Sequence, residues 1–139
     1  MRFWDSSAIA PLLVQEKESA QRQRDLEQDA VLVVWWGTAL ELESVLTRRR
    51  TEGTLDEPNE ARARARLAML ADAWIEVEPT DPVREMGKRL IRVHGLRSAD
   101  SLQLAAALIA CGNRPSGHHF LTGDQALKVA AGKEGFVVS

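Results

Sequence analysis

Four acids in this chain, Asp5, Glu41, Asp100 and Asp124, stand where a carboxylate can do more than keep a surface wet. Asp5 directly follows the short stretch Arg2–Trp4, and Asp124 follows His119–Thr122 after a single glycine. Glu41 lies about one helical turn behind the apolar run Ala30–Trp35, and Asp100 falls in the first turn of a helical pattern that begins near Ser98. Converging carboxylates repel one another, and burying them unpaired is costly. A hard divalent cation removes that conflict, and oxygen-only donors suit Mg2+ or Mn2+ better than zinc. Taken one at a time, Asp5, Asp100 and Asp124 also have an ordinary role. An acid at a helix start satisfies free N–H groups and complements the helix dipole, worth roughly 0.3–2 kcal/mol. For Glu41 the ordinary alternative is exposure to solvent, and Glu43 competes with it for a role in chemistry. At ~100° per residue, Glu41, Ser44 and Arg48 fall along one line beside the apolar stripe Leu42, Val45 and Leu46. Glu43 points roughly the opposite way and has no such companions, which favours Glu41.

Other site chemistries find less support. Cys111 is the single cysteine, and His94, His118 and His119 lack zinc-ligand spacing. No Gly-x-Ser-x-Gly elbow, P-loop or dinucleotide glycine fingerprint occurs. A phosphotransfer or receiver-like domain also places an acid after its first strand. The Asp-x-Asp pair of the phosphotransferases is broken here, because Ser7 occupies the second acidic position.

The acids need elements to hold them, and extended and helical signals alternate along the chain. Strands are predicted at Arg2–Trp4, Ala30–Trp35, Trp74–Val77, His119–Thr122 and Gly135–Val138. Between them helices are predicted at Ser6–Val14, Gln15–Gln28, Gly37–Thr51, Glu57–Ala73 and Thr80–His94, then from an N-cap at Ser98 to about Cys111, and at Asp124–Ala131. Gly112–Gly117 has loop composition. This alternation predicts an α/β fold, with a mainly parallel sheet and helices on both faces. Ligands of open α/β sheets bind beyond the carboxyl ends of the strands, the edge at which Asp5, Glu41 and Asp124 are expected. Asp100 joins them only if its helix docks there.

With 139 residues, 45% hydrophobic and 27% charged, the chain reads as one globular domain over 1–139. No apolar run reaches the ~20 residues of a membrane helix, and the N-terminus lacks a signal peptide, so a cytoplasmic location is expected. A lone cysteine agrees with a reducing compartment. The formal charge of −2 argues against bulk electrostatic capture of nucleic acid. If four acids serve one site, however, 20 − 4 leaves 16 acids against 18 bases, or +2 for the remainder. A polyanionic substrate is therefore compatible with the composition.

Four segments, in order, resemble the PIN-domain nucleases, and specifically the VapC-type toxins of bacterial type II toxin–antitoxin pairs. They are Phe-Trp-Asp-Ser-Ser-Ala-Ile at 3–9, Trp-Trp-Gly-Thr-Ala-Leu-Glu-Leu-Glu-Ser at 35–44, Leu-Arg-Ser-Ala-Asp-Ser-Leu-Gln-Leu-Ala at 96–105 and Phe-Leu-Thr-Gly-Asp-Gln-Ala-Leu at 120–127. The resemblance implies a three-layer α/β/α sandwich around a parallel sheet of about five strands. It places the family's catalytic and metal-binding acids at Asp5, Glu41, Asp100 and Asp124, with Ser7 and Thr122 as hydroxyls that orient them. Ser6 stands where the family often has threonine. Further implications are one or two Mg2+ or Mn2+ ions, endonucleolytic cleavage of RNA to 5′-phosphate and 3′-hydroxyl ends, a homodimer, and an antitoxin protein (VapB-like) lying near the acids. The alternative within this likeness is a catalytically weak PIN-like module that binds RNA or protein.

Candidate RNA-contacting bases are Arg48, on the Glu41 line, and Arg97, beside Asp100. Arg62, Arg64 and Arg66 spread over ~200° of helix, which favours a solvated face. Trp4, Trp35, Trp36 and Trp74 lie in or beside predicted strands, so core packing is expected rather than base stacking.

Overall fold

A computed structural model describes residues 1–139. Five strands, β1 (Arg2–Trp4), β2 (Val33–Trp35), β3 (Ile75–Val77), β4 (His119–Leu121) and β5 (Val137–Val138), form one sheet in the order β3-β2-β1-β4-β5. Every neighbouring pair is parallel, with Phe3 level with Val33 on one side and Phe120 on the other. The connections are helical: α1 (Ser6–Leu13), α2 (Ser19–Gln28), α3 (Thr38–Glu52), α4 (Glu57–Ala73), α5 (Asp81–His94), α6 (Ser98–Ala110) and α7 (Gln125–Glu134). The strand order reverses at β1, so the crevice between the ends of β1 and β4 is the topological switch point, where open α/β sheets bind ligands.

Successive strand residues point to opposite faces, and here both faces are apolar. Phe3, Val33, Trp35 and Phe120 pack against Val83 and Leu90 of α5, Leu104 of α6 and Leu127 of α7. Trp4, Val34 and Leu121 pack on the other side against Ile9 of α1, Leu42 and Leu46 of α3 and Ala63 of α4. The result is a three-layer α/β/α sandwich. Phe3 and Phe120 stack with ring centroids 5.4 Å apart, so the central β1–β4 pair carries its own aromatic contact. Each such side chain, fully buried, stabilises the fold by roughly 1.5–3 kcal/mol. No helix is long and apolar enough to cross a membrane.

Several sequence expectations shift. The run Ala30–Trp35 pairs as a strand only from Val33, because the Asp29 carboxylate takes the Val31 N–H at 3.1 Å and leaves Val31 51% exposed. Gln15–Gln28 is helical only from Ser19, whose hydroxyl accepts the Glu16 N–H at 2.8 Å in the preceding turn. Ser98 is the first residue of α6 rather than its cap; Arg97 occupies the cap position without a side-chain bond. Trp4, Trp35 and Trp74 are core residues as expected, but Trp36 is 52% exposed. It follows the last residue of β2; its N–H still donates to Val77 O of β3 at 3.1 Å, but its side chain is left outside as the chain turns towards α3.

Candidate active site

Asp5 terminates β1 and caps α1. Its backbone N–H donates to Leu121 O at 3.0 Å, which continues the β1–β4 ladder to the point where the side chain emerges. The carboxylate is 3% exposed and heavily bonded on one oxygen. Asp5 Oδ2 accepts from the Ser7 hydroxyl, from Thr122 Oγ1 at 2.8 Å and from the Ser7 N–H at 3.4 Å. Thr122 Oγ1 in turn accepts from the Asp124 N–H at 3.0 Å, and Ser7 Oγ accepts from the Gly123 N–H at 2.8 Å. Two hydroxyls thus tie the turn after β4 to the end of β1.

Glu41 enters from the first turn of α3. That helix can start close behind β2 because residue 37 is glycine; a Cβ there would lie 2.5 Å from Trp35 Nε1. Glu41 Oε2 accepts from Ser6 Oγ at 2.5 Å and from Gln103 Nε2 at 3.3 Å. Ser6 Oγ also lies 3.5 Å from Asp5 Oδ1, so one hydroxyl stands between the two carboxylates. Glu43, two residues on, is turned away and pairs with Arg64 of α4.

Asp100, in the first turn of α6, is half-buried and has no hydrogen-bond or ion-pair partner of its own. Asp124 caps α7, accepting the Leu127 N–H at 2.8 Å on Oδ1. Burial raises the carboxyl pKa of Asp5, Glu41 and Asp100 above the ordinary range. For Glu41 the charges of Asp5 and Asp100 push the same way, and for Asp100 those of Asp124 and Asp5 do. These couplings follow from the docking of α6 at the same sheet edge, where sequence alone left Asp100 unplaced. The four acids therefore share one electrostatic neighbourhood.

Among the buried and half-buried acids, what separates these four from most of the others is the absence of a basic partner. Asp25 pairs with Arg22, Glu16 with Arg49, Glu60 with Arg50, and Glu134 with Arg89 and His94. None of the four site acids has such a pair, and Arg97 acts on Asp100 only as a nearby charge. Glu41 Oε1, Asp124 Oδ2 and both oxygens of Asp100 accept no hydrogen bond, and Asp5 Oδ1 has only the Ser6 hydroxyl at 3.5 Å. All-oxygen donors with uncompensated negative charge fit a hard divalent cation. No three of these side chains stand close enough together to hold one ion by themselves. The fit is therefore to an ion that keeps much of its water and takes one or two carboxylates directly, which is how Mg2+ usually binds.

Over residues 2–133 the chain matches a family model described as PIN domain. The chain belongs to the PIN domain family. PIN domains are generally nucleases, which supports hydrolysis of phosphodiesters as the kind of chemistry. Two solved structures share the fold. One is PAE2754 from Pyrobaculum aerophilum, with TM-score 0.67 and 20% identity, covering 99% of this chain and 87% of that one. The other is FitAcB from Neisseria gonorrhoeae, with TM-score 0.67 and 17% identity, covering 99% and 96%. No curated protein matches the sequence.

Two polar residues that hold the PIN site escaped the sequence reading. Gln103 donates to the buried Thr38 hydroxyl at 3.0 Å as well as to Glu41. It lies three residues past Asp100 on the same helix, so its i, i+3 spacing was the available signal. Ser6, read only as a family variant, is the closest partner of Glu41. Among the bases, Arg48 and Arg97 are exposed and without ion pairs, Arg48 lying beside Leu40, Ser44 and Thr47 on the outer face of α3. The expectation of a purely solvated face for Arg62, Arg64 and Arg66 is corrected for two of them. Arg64 reaches Glu43 and Glu60, and Arg66 donates to Gln23 at 2.8 Å, because α4 lies against α3 and near α2.

Proposed function

We propose that this PIN domain, spanning residues 1–139, is a divalent-metal-dependent endoribonuclease acting as the VapC-type toxin of a toxin–antitoxin pair. The observation that carries the reading is the set of four unpaired acids, drawn from four different elements to one sheet edge. Asp5, Glu41, Asp100 and Asp124 would hold one or two Mg2+ or Mn2+ ions, in part through water. Such an ion, when bound, lowers the pKa of water and neutralises charge developing on a phosphodiester.

The protein's own contribution is orientation. Ser7 and Thr122 hold one oxygen of Asp5, which leaves the other with only the Ser6 hydroxyl at 3.5 Å. Ser6 and Gln103 hold one oxygen of Glu41, and outer partners of this kind tune ligand geometry and affinity. Arg97, beside Asp100, and Arg48, farther along α3, are exposed and free of ion pairs and would meet backbone phosphates, a contribution that should weaken with salt. In-line attack leaves 5′-phosphate and 3′-hydroxyl ends. The sequence likeness adds a homodimer and a VapB-like antitoxin to this reading.

Purified protein incubated with RNA and Mg2+ or Mn2+ should produce cleaved strands whose ends map as 5′-phosphates. EDTA and Asp5→Asn should each abolish cleavage while the fold is kept. Full cleavage in EDTA, or by folded Asp5→Asn protein, would overturn the proposal.

A further inference from the structure

Arg22 is a buried guanidinium in a helix whose one other base, Arg24, is exposed. It lies on α2 and is 5% exposed. Its Nη1 donates to Asp25 Oδ2 at 3.1 Å and its Nη2 to Thr122 O, 100 residues away in sequence, also at 3.1 Å. Its Nε is buried with no partner. Asp25 does not belong to Arg22 alone, since Arg2 approaches the same carboxylate at 4.0 Å. A buried, incompletely satisfied cation is costly, and an apolar side chain of similar volume would fill the space at lower cost. What an apolar side chain could not do is hold the Thr122 carbonyl.

That carbonyl belongs to the peptide unit joining Thr122 to Gly123. Its C=O is held by Arg22, and its N–H donates to Ser7 Oγ at 2.8 Å. The unit is therefore gripped at both ends, at a glycine, where the backbone would otherwise turn most freely. Ser7 Oγ and Thr122 Oγ1, the hydroxyls on either side of this unit, are the two that bond Asp5 Oδ2, and the Asp124 N–H bonds Thr122 Oγ1. Arg22 also shares a polar cleft with Ser7 and Gly123. We propose that Arg22 is a positioning residue that locks the Thr122–Gly123 peptide and thereby aims the Asp5 and Asp124 carboxylates. The inference rests on the acids forming the reactive site, while the lock itself can be measured without activity.

The experiment compares wild type with Arg22→Met and Arg22→Lys by thermal melting, amide hydrogen exchange at Gly123 and Asp124, Mn2+ titration followed by electron paramagnetic resonance, and RNA cleavage kinetics. In Arg22→Met the Gly123 amide should exchange faster. Its Mn2+ affinity and kcat should each fall about tenfold or more, the usual loss when an outer partner of a metal ligand is removed. KM for RNA should stay unchanged. Arg22→Lys keeps the charge and one donor, and should recover part of each loss. If Arg22→Met does not fold, Arg22→Lys decides, because one ammonium cannot span Asp25 and Thr122 as the guanidinium does. A folded variant that melts lower yet keeps wild-type Gly123 protection and Mn2+ affinity would reduce Arg22 to a packing role and overturn the proposal. A wild-type protein that neither binds Mn2+ nor cuts RNA would instead overturn the nuclease reading, and Gly123 exchange would still judge the lock.

Discussion

Neutralising Asp100 should stabilise the fold, although Asp100 is a site residue. Its side chain makes no hydrogen bond and no ion pair, so Asp100→Asn loses no bond. Burial is the largest cause of its raised pKa, followed by the charges of Asp124 and Asp5. Half-exposed like charges are worth about 0.2–1 kcal/mol per pair after solvent screening, so removing one charge from two pairs relieves about 1 kcal/mol. Against this stand the nearby Arg97 charge and the α6 dipole, the latter favouring a first-turn carboxylate by about 0.3–1 kcal/mol. The raised pKa shows repulsion and burial winning, and a net gain of about 0.5 kcal/mol is expected, or about 2 °C in Tm for a chain of this size. The assay is thermal melting at low ionic strength in EDTA, from pH 7.5 down to pH 4. Because the folded-state pKa lies above the unfolded one, wild type carries the penalty in full above the folded value. The penalty fades as pH falls from there towards the ordinary carboxylate range, so the variant's advantage should shrink on acidification. Saturating Mg2+ should reverse the order, since wild type gains binding energy that the variant partly lacks. An Asp100→Asn protein that melts below wild type in EDTA at pH 7.5, or whose advantage is unchanged at pH 4, would refute the reasoning.

Two further outcomes follow from the pairing pattern. Glu41→Gln should reduce RNA cleavage at least a hundredfold while Glu43→Gln leaves it within about twofold, because Glu43 is committed to Arg64; single-turnover kinetics on one RNA would show it. Glu134, held at 2.7 and 3.1 Å by Arg89 and at 2.6 Å by His94, has its carboxyl pKa lowered, chiefly by the Arg89 hydrogen bonds. Its contribution is present above the unfolded carboxylate pKa and is lost as pH falls through the folded one. Glu134→Gln should cost about 1–2 kcal/mol at pH 7, discounted because Arg89 is 40% exposed, and urea titration should find the difference shrinking as pH falls below the ordinary carboxylate range.

Local signals carried much of the architecture. Runs such as Val33–Trp35 and Phe120–Leu121, apolar on both faces, are legible as buried parallel strands, and Glu57–Ala73 is legible as a helix to the residue. Element ends were less legible, because side-chain bonds decide them. Asp29 and Ser19 each turn a backbone N–H away from the pattern that hydrophobicity suggests. Trp36 shows the same limit: its type argues for burial, and only the turn into α3 puts it outside.

For the site, the sequence by itself determined which acids to watch. Asp5 and Asp124 had to follow strands that run the same way, so both reach one edge of the sheet, and helical spacing separated Glu41 from Glu43. It could not say where α6 docks, because that depends on packing between elements far apart in the chain; tertiary structure brought Asp100 to the same edge. Nor could local pattern reveal that these four acids lack basic partners while most other buried or half-buried acids have them, or that Arg22 reaches Thr122. Hydrogen bonds and ion pairs between distant residues exist only once the layers close, and they separate the buried acids committed to basic partners from those left unpaired.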